Sequence, residues 1–223
     1  MTNTKAYKGI GMEGIIAKWY AYITLKDINR HKLMAQQLAE KIPPTSRVLE
    51  IAPGPGYFCI ELARLGDYEI SGLDISKSFV EISRKNAAAA GLPLNFRLGN
   101  ASDMPFADGS FDVTFCQAAF KNFSQPVKAI CEMYRVLRPN GMAMIVDLRS
   151  DASSAEIEHE VKGMGLSHLN ETFTRWTFEH SLLKRAYSIE DMRRMIAQTP
   201  FGQGQIEVSG VGFQICLEKN HKQ

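Results

Sequence analysis

The chain has 223 residues, 45% of them apolar, and a formal net charge of +2 from 26 basic and 24 acidic side chains. That length and apolar share suit one globular domain with a sizeable core, and a charge so near zero argues against a broad nucleic-acid surface. The polar opening M-T-N-T-K-A-Y-K leads into no signal-peptide core, no apolar run is long enough to span a membrane, and four scattered cysteines without C-x-x-C pairing suit reduced thiols in a cytoplasmic protein.

Residues 1–11 read as a Gly-containing arm, and 12–41 as helix broken near 24–27. Ile15, Ile16, Trp19, Tyr20 and Ile23 make one apolar face of its first half; Leu33, Met34, Leu38 and Ile42 continue it until Pro43 and Pro44. The aromatic pair suits core packing or a homodimer contact, with a lid over a ligand as the alternative. The run V-L-E-I at 48–51 then predicts a buried parallel strand with a charge, Glu50, inside it. The turn Ala52-Pro53-Gly54-Pro55-Gly56 follows, then helical spacing through Ile60, Leu62, Ala63 and Leu65.

Strand, glycine turn and helix form the entry to a nucleotide-type site at the carboxyl end of a sheet. The dinucleotide pattern G-x-G-x-x-G is only partly met, because Cys59 stands at its third glycine. Pro53 and Pro55 have no N–H to offer a phosphate, and Glu50 would repel one. The turn therefore suits an adenosine ligand without phosphates better than NAD or ATP; the plain alternative is an ordinary βα turn. A second strand, 68–73, ends at Asp74, twenty positions beyond Gly54, where an acid would hold a ribose diol. The alternative for Asp74 is a charge at a helix N-terminus.

Ser76 caps a helix running to Ala90. Strand 95–98, the loop G-N-A-S-D-M-P-F-A-D-G-S and strand 111–116 follow. A loop, 117–123, leads to Ser124, read as the cap of a helix with Pro126 in its first turn. Strand 142–148 is the fifth. Strands alternating with helices predict a parallel α/β sheet. Residues 151–186 interrupt the alternation with two amphipathic stripes, Ile157, Val161 and Met164, then Leu169, Phe173, Trp176, His180 and Leu183. We read them as a helical cap over the carboxyl edge. Ser188 starts a further helix with Asp191 in capping-box position, and 206–208 with 213–217 read as a terminal hairpin.

Four segments, V-L-E-I-A-P-G-P-G, I-S-G-L-D-I-S, G-N-A-S-D-M-P-F-A-D-G-S-F-D-V and V-L-R-P-N-G-M-A-M-I-V-D, resemble the class I S-adenosylmethionine-dependent methyltransferases, in their "methyltransferase 11" or UbiE-like branch. Together they cover roughly residues 45–150. The resemblance implies a single Rossmann-like domain: a seven-stranded, mostly parallel sheet with helices on both faces and an antiparallel last strand. Its parts would be an N-terminal helical arm or lid (1–44), a cofactor-binding core (45–150), a helical cap after the fifth strand (151–186), and a final helix with hairpin (187–223). It further implies S-adenosylmethionine as cofactor, leaving S-adenosylhomocysteine. Glu50, Ala52, Pro53, Gly54 and Gly56 would lie against its methionine part, Asp74 on the ribose hydroxyls and Ile75 beside the adenine. Asn100 and Ala101 would read the adenine edge, Gln117 would approach the methionine moiety, and Tyr20 would reach the carboxylate. Two positions depart from the family pattern: Ala52 replaces a glycine and Asn100 an aspartate.

Methyl transfer needs chiefly alignment, with a general base only where the acceptor must lose a proton. Lys121 and His180 are the candidates for that role, each with a plain alternative as a solvated loop charge and a packed histidine. Phe120, Asn122, Phe123, Phe173 and Trp176 could wall an acceptor pocket. Arg149 could hold an anionic acceptor or pair with Asp147 or Asp151. No metal cluster is expected. The reading is a small-molecule methyltransferase; the alternatives are a macromolecule methyltransferase and a non-catalytic cofactor-binding protein.

Overall fold

The computed structural model describes residues 7–8, 11–164 and 168–220. Its centre is one seven-stranded sheet in the order β3-β2-β1-β4-β5-β7-β6. β1 (Arg47–Ile51), β2 (Glu69–Asp74), β3 (Asn95–Leu98), β4 (Phe111–Gln117) and β5 (Leu137–Leu148) run parallel. β7 (Gly212–Glu218) is antiparallel to β5 on one side and to β6 (Gln205–Ser209) on the other, so the predicted hairpin closes the sheet. Strand order reverses between β1 and β4, which opens a crevice at their carboxyl ends.

Alternation along each strand sends side chains to two separate cores. On one face, Val48, Val113, Phe115 and Met144 pack with Leu38 of α2 (Ile28–Ala39), Phe58 of α3 (Tyr57–Ala63) and Val80 of α4 (Lys77–Ala89). Phe58 and Phe115 stack with ring centroids 4.3 Å apart. On the other face, Cys116, Ile145 and Ile215 meet Ile130 and Met133 of α5 (Pro126–Val136) and Met192 and Ile196 of α9 (Ile189–Ala197). Helix starts follow the sequence at Ser76, whose hydroxyl accepts from the Phe79 N–H, and at Ser188, which forms a capping box with Asp191.

Four expectations are corrected. α1 (Gly14–Leu25) buries Ala17 and Ala21, whereas Ile15 and Trp19 are 85% and 60% exposed. The helix lies close to the N-terminus of α4, where Glu13 accepts from the Lys77 and Ser78 N–H groups, so only small residues fit between. α5 has Gln125 at its cap and no side-chain capping bond, so Ser124 does not cap it. β5 begins at Leu137 rather than Met142, because Leu137 pairs with Phe111 across a bulge. In the region 151–186, α6 (Ser154–Gly163) buries Ile157 and Val161 as expected, but Met164 is exposed. There α7 (His168–Thr177) turns Phe173 and Trp176 outward, and the side chain of Leu169 lies outside the described residues. A π-turn (Phe178–Leu182) supplies Phe178 as a buried partner in their place, while Leu183 of the short α8 (Leu183–Arg185) is buried as the stripe predicts. Residues 1–6, 9 and 10 of the arm also lie outside the described residues.

Candidate active site

The crevice between β1 and β4 gathers the residues singled out in sequence. Glu50 lies one step before the end of β1, opposite Phe115, and Gln117 ends β4. Beyond β1 the chain turns sharply, with Ala52 at φ 56° and Gly54 at φ 55°. A Cβ built on Gly54 would meet nothing within 4 Å, so the turn has open space above it. At Gly56, φ 80°, a Cβ would come within 2.9 Å of the Phe96 ring; that glycine serves the packing of α3 on the sheet.

The turn's own donors are spent internally. Ala52 N–H donates to Leu73 O, Gly54 N–H to Asp74 Oδ2 at 3.0 Å, and Gly56 N–H to Pro53 O. Pro53 and Pro55 have none. From Ala52 to Gly56 no N–H remains to cradle a phosphate, which sets this turn apart from a pyrophosphate site.

Two carboxylates dominate the electrostatics. Asp74, at the tip of β2, accepts from Gly54 N–H and from Ser76 N–H at 2.8 Å. Burial raises its carboxyl to about 6 against the pull of those two bonds. Glu50 is buried to 1% exposure; the Cys59 thiol donates to its Oε2 at 2.9 Å and the Gln117 amide reaches its Oε1 at 3.4 Å. Burial pushes Glu50 to about 7, with Asp74 adding to the rise. Among the described residues neither carboxylate has a Lys, Arg or His within ion-pair distance.

The other residues that the resemblance implies for the cofactor lie as follows. Gly99 N–H donates to Asp74 O, which brings Asn100 and Ala101 alongside the tip of β2. Asn100 Oδ1 accepts from Ser102 N–H and keeps a second lone pair. Ile75 follows Asp74 and is partly open to solvent. Tyr20 packs edge-on against Phe79, 5.7 Å between ring centres. Burial raises its hydroxyl, with Arg30 opposing and Asp147 and Asp74 adding to the rise.

The acceptor-side candidates divide. Lys121 is buried: its Nζ lies 2.7 Å from Asp147 Oδ1 and donates to Ala118 O, while its N–H donates to Asp147 Oδ2. Phe120 is wholly buried against Phe123 and Tyr187, and the Asn122 carbonyl accepts from Lys8 N–H. Arg149 takes the pairing with Asp151, 3.1 Å away, adds Glu156, and donates to Gly210 O, so it ties α6 to the hairpin. Phe173, Trp176 and His180 stack on one another and are exposed, Phe173 at 68%. One site residue escapes the sequence pattern. His31, on α2, brings Nδ1 to 3.5 Å from Gln117 Nε2. Only the packing of α2 beside α3 places it there, and no local spacing marks it.

Comparison with known proteins gives the following likenesses. Residues 49–145 match the family model described as a methyltransferase domain. Demethylmenaquinone methyltransferase of Deinococcus radiodurans is 37% identical over 108 residues, 48% of this chain and 45% of the relative. The ubiquinone/menaquinone biosynthesis C-methyltransferase UbiE of Roseobacter denitrificans is 30% identical over 149 residues, 64% of this chain and 60% of that one. The chain thus spans about half the length of the curated relatives it matches. Among solved structures, a protein of Methanococcus maripaludis, provisionally assigned to the S-adenosylmethionine-dependent methyltransferases, superposes with a TM-score of 0.78 at 19% identity over 97% of both chains. The plantazolicin methyltransferase BamL, solved with S-adenosylhomocysteine and a desmethyl substrate analogue, gives 0.69 at 15% identity over 92% of this chain and 90% of its own.

Proposed function

We propose, for a chain that carries a class I S-adenosylmethionine-dependent methyltransferase domain of the UbiE-like branch, that it transfers a methyl group from S-adenosylmethionine to a small-molecule acceptor. One observation carries the cofactor reading: two buried carboxylates, Glu50 and Asp74, share a crevice with no basic partner among the described residues. Such a site favours a cation and disfavours phosphates. S-adenosylmethionine has a sulfonium, an ammonium and no phosphate, and the open space over Gly54 leaves room for it. When bound, the cofactor supplies an electrophilic methyl group that is displaced in line. Asp74 would accept from the ribose hydroxyls, Glu50 and Gln117 would face the methionine end, Asn100 and Ala101 the adenine, and Tyr20 the carboxylate.

The small-molecule reading is supported by the relatives, whose names specify quinone methylation and O-methylation, and by the extra helices of 151–186, read here as a cap. Lys121 already neutralises Asp147, so its share in the reaction would be to hold the loop after β4. A cytoplasmic setting is supported by four free cysteines, two of them buried, and no helix among the described residues is long and apolar enough to cross a membrane. A homodimer contact through α1 is supported by its outward Ile15 and Trp19. Calorimetric titration tests the proposal: tight binding of S-adenosylmethionine and S-adenosylhomocysteine with none of NAD or ATP is expected. Binding of NAD or ATP in their place would overturn it. Methyl transfer to hydroxylated aromatics or reduced quinones is then the activity to assay.

A further inference from the structure

The buried carboxylate Glu50 is linked to a histidine through a single amide. Gln117 Nε2 lies 3.4 Å from Glu50 Oε1 and 3.5 Å from His31 Nδ1. An amide nitrogen has two hydrogens, one for each acceptor. When ionised, Glu50 can only accept, so it selects the NH₂ end of Gln117, and His31 Nδ1 then presents its lone pair. In that state His31 is neutral with its hydrogen on Nε2. That nitrogen has no hydrogen-bond partner among the described residues.

We propose that His31 is a positioning residue: by accepting one hydrogen of the Gln117 amide it holds the other on Glu50, and so keeps Glu50 a carboxylate for the cationic cofactor. Protonating Nδ1 would set N–H against N–H. The amide would turn, its oxygen would accept from His31, and that same oxygen would face Glu50 Oε1. Two acceptors in contact are relieved only when Glu50 takes a proton and donates it. The bridge thus makes two protons enter or leave together. Burial supports the neutral imidazole by lowering its pKa, as does Arg30, with Asp27 opposing. The other groups around the unit are Tyr57 of α3, whose ring centre is 5.9 Å from that of His31, the Cys59 thiol on the far oxygen of Glu50, and Asp74 beyond it.

The role toward the cofactor rests on the function proposed above; the bridge itself does not, and the two are tested separately. In the protein without ligand, ring ¹⁵N NMR should show His31 as the Nε2–H tautomer, its signals identified by their loss in His31→Asn. In Glu50→Gln the His31 pKa should rise, because residue 50 can now donate to the turned amide. Loss of a neighbouring negative charge alone would lower it. The Nδ1–H tautomer, or a fall in pKa, overturns the bridge whether or not any cofactor binds. With S-adenosylmethionine, calorimetric affinity measured from about pH 5.5 to about pH 8.5 should fall on the acid side, with Asp74 as well as the Glu50–His31 pair contributing to the slope. In His31→Asn, which keeps an oxygen acceptor for Gln117, the slope should be about one proton smaller than in the wild type with affinity retained at the alkaline end, while His31→Leu should bind about tenfold more weakly there. An unchanged slope in His31→Asn overturns the positioning role.

Discussion

Ala52 stands where the family pattern has glycine, and the backbone shows what that substitution costs. Its φ of 56° lies in the left-handed region, which costs a residue with a Cβ about 1–2 kcal/mol, against about 0.5–1 kcal/mol of extra chain entropy for glycine. Ala52→Gly should therefore stabilise the protein by about 0.5–1 kcal/mol, read as a higher urea midpoint at constant slope; a lower midpoint would show that the methyl group makes compensating contacts. Asp74 is the opposite case, a residue that orders the fold and that we propose also serves the ligand. Its two oxygens order the turn through Gly54 and Ser76 while keeping further lone pairs for a ligand. Asp74→Ala should weaken S-adenosylmethionine binding by about 1–3 kcal/mol, measured by calorimetry on a variant whose circular dichroism is unchanged. Equal affinity would remove Asp74 from the ribose site.

Among elements, the loop after β4 is where the structure departs most from a solvated turn. The 3₁₀ turn Phe120–Asn122 is clamped to the end of β5 by the Lys121–Asp147 pair, whose side chains are 10% and 1% exposed. Lys121→Met leaves Asp147 as an unpaired buried charge, which should cost about 3–5 kcal/mol of stability, and adding Asp147→Asn, which removes the charge and keeps an oxygen for the backbone N–H donors, should recover part of it. Chemical denaturation of the singles and the double decides this; a loss below about 0.5 kcal/mol for Lys121→Met would mean the charge is solvated after all. The same loop shows what the sequence made legible. Strands with buried neighbours on both faces read clearly, because Val48, Leu49 and Ile51 leave no polar face to misplace. Capping serines at 76 and 188 read clearly, because the bond they make is local. Whether Lys121 meets water or Asp147, 26 residues away, is decided by tertiary packing. So is the orientation of α1, where apolar residues occur all round the helix and the contact selects Ala17 and Ala21 for their size. The exposed Phe173 and Trp176 have the same cause: their spacing predicts the helix, and tertiary packing decides that they face outward.

For the molecule as a whole, the site is held against the protein's own stability. A carboxyl whose folded pKa lies above its unfolded value binds more protons when native, so stability falls as pH rises between the two values. Glu50, raised from 4.5 to about 7, and Asp74, raised from 3.8 to about 6, both act in this sense. Their cost is absent below about pH 4 and complete above about pH 7. Burial causes both shifts, and among the described residues no basic side chain pairs with either carboxylate, so the relief must come from a ligand. Glu50→Gln, which keeps the shape and removes the charge, should raise the melting temperature of the ligand-free protein at pH 8, and the gain should vanish towards pH 4. S-adenosylmethionine should then stabilise the wild type more than Glu50→Gln at pH 8, since only the wild type has a buried charge to neutralise. Thermal melts of the two proteins with and without cofactor test both halves. A Glu50→Gln variant less stable than wild type at pH 8 would mean that Glu50 is already compensated inside the fold, and the crevice would lose its claim on a cation.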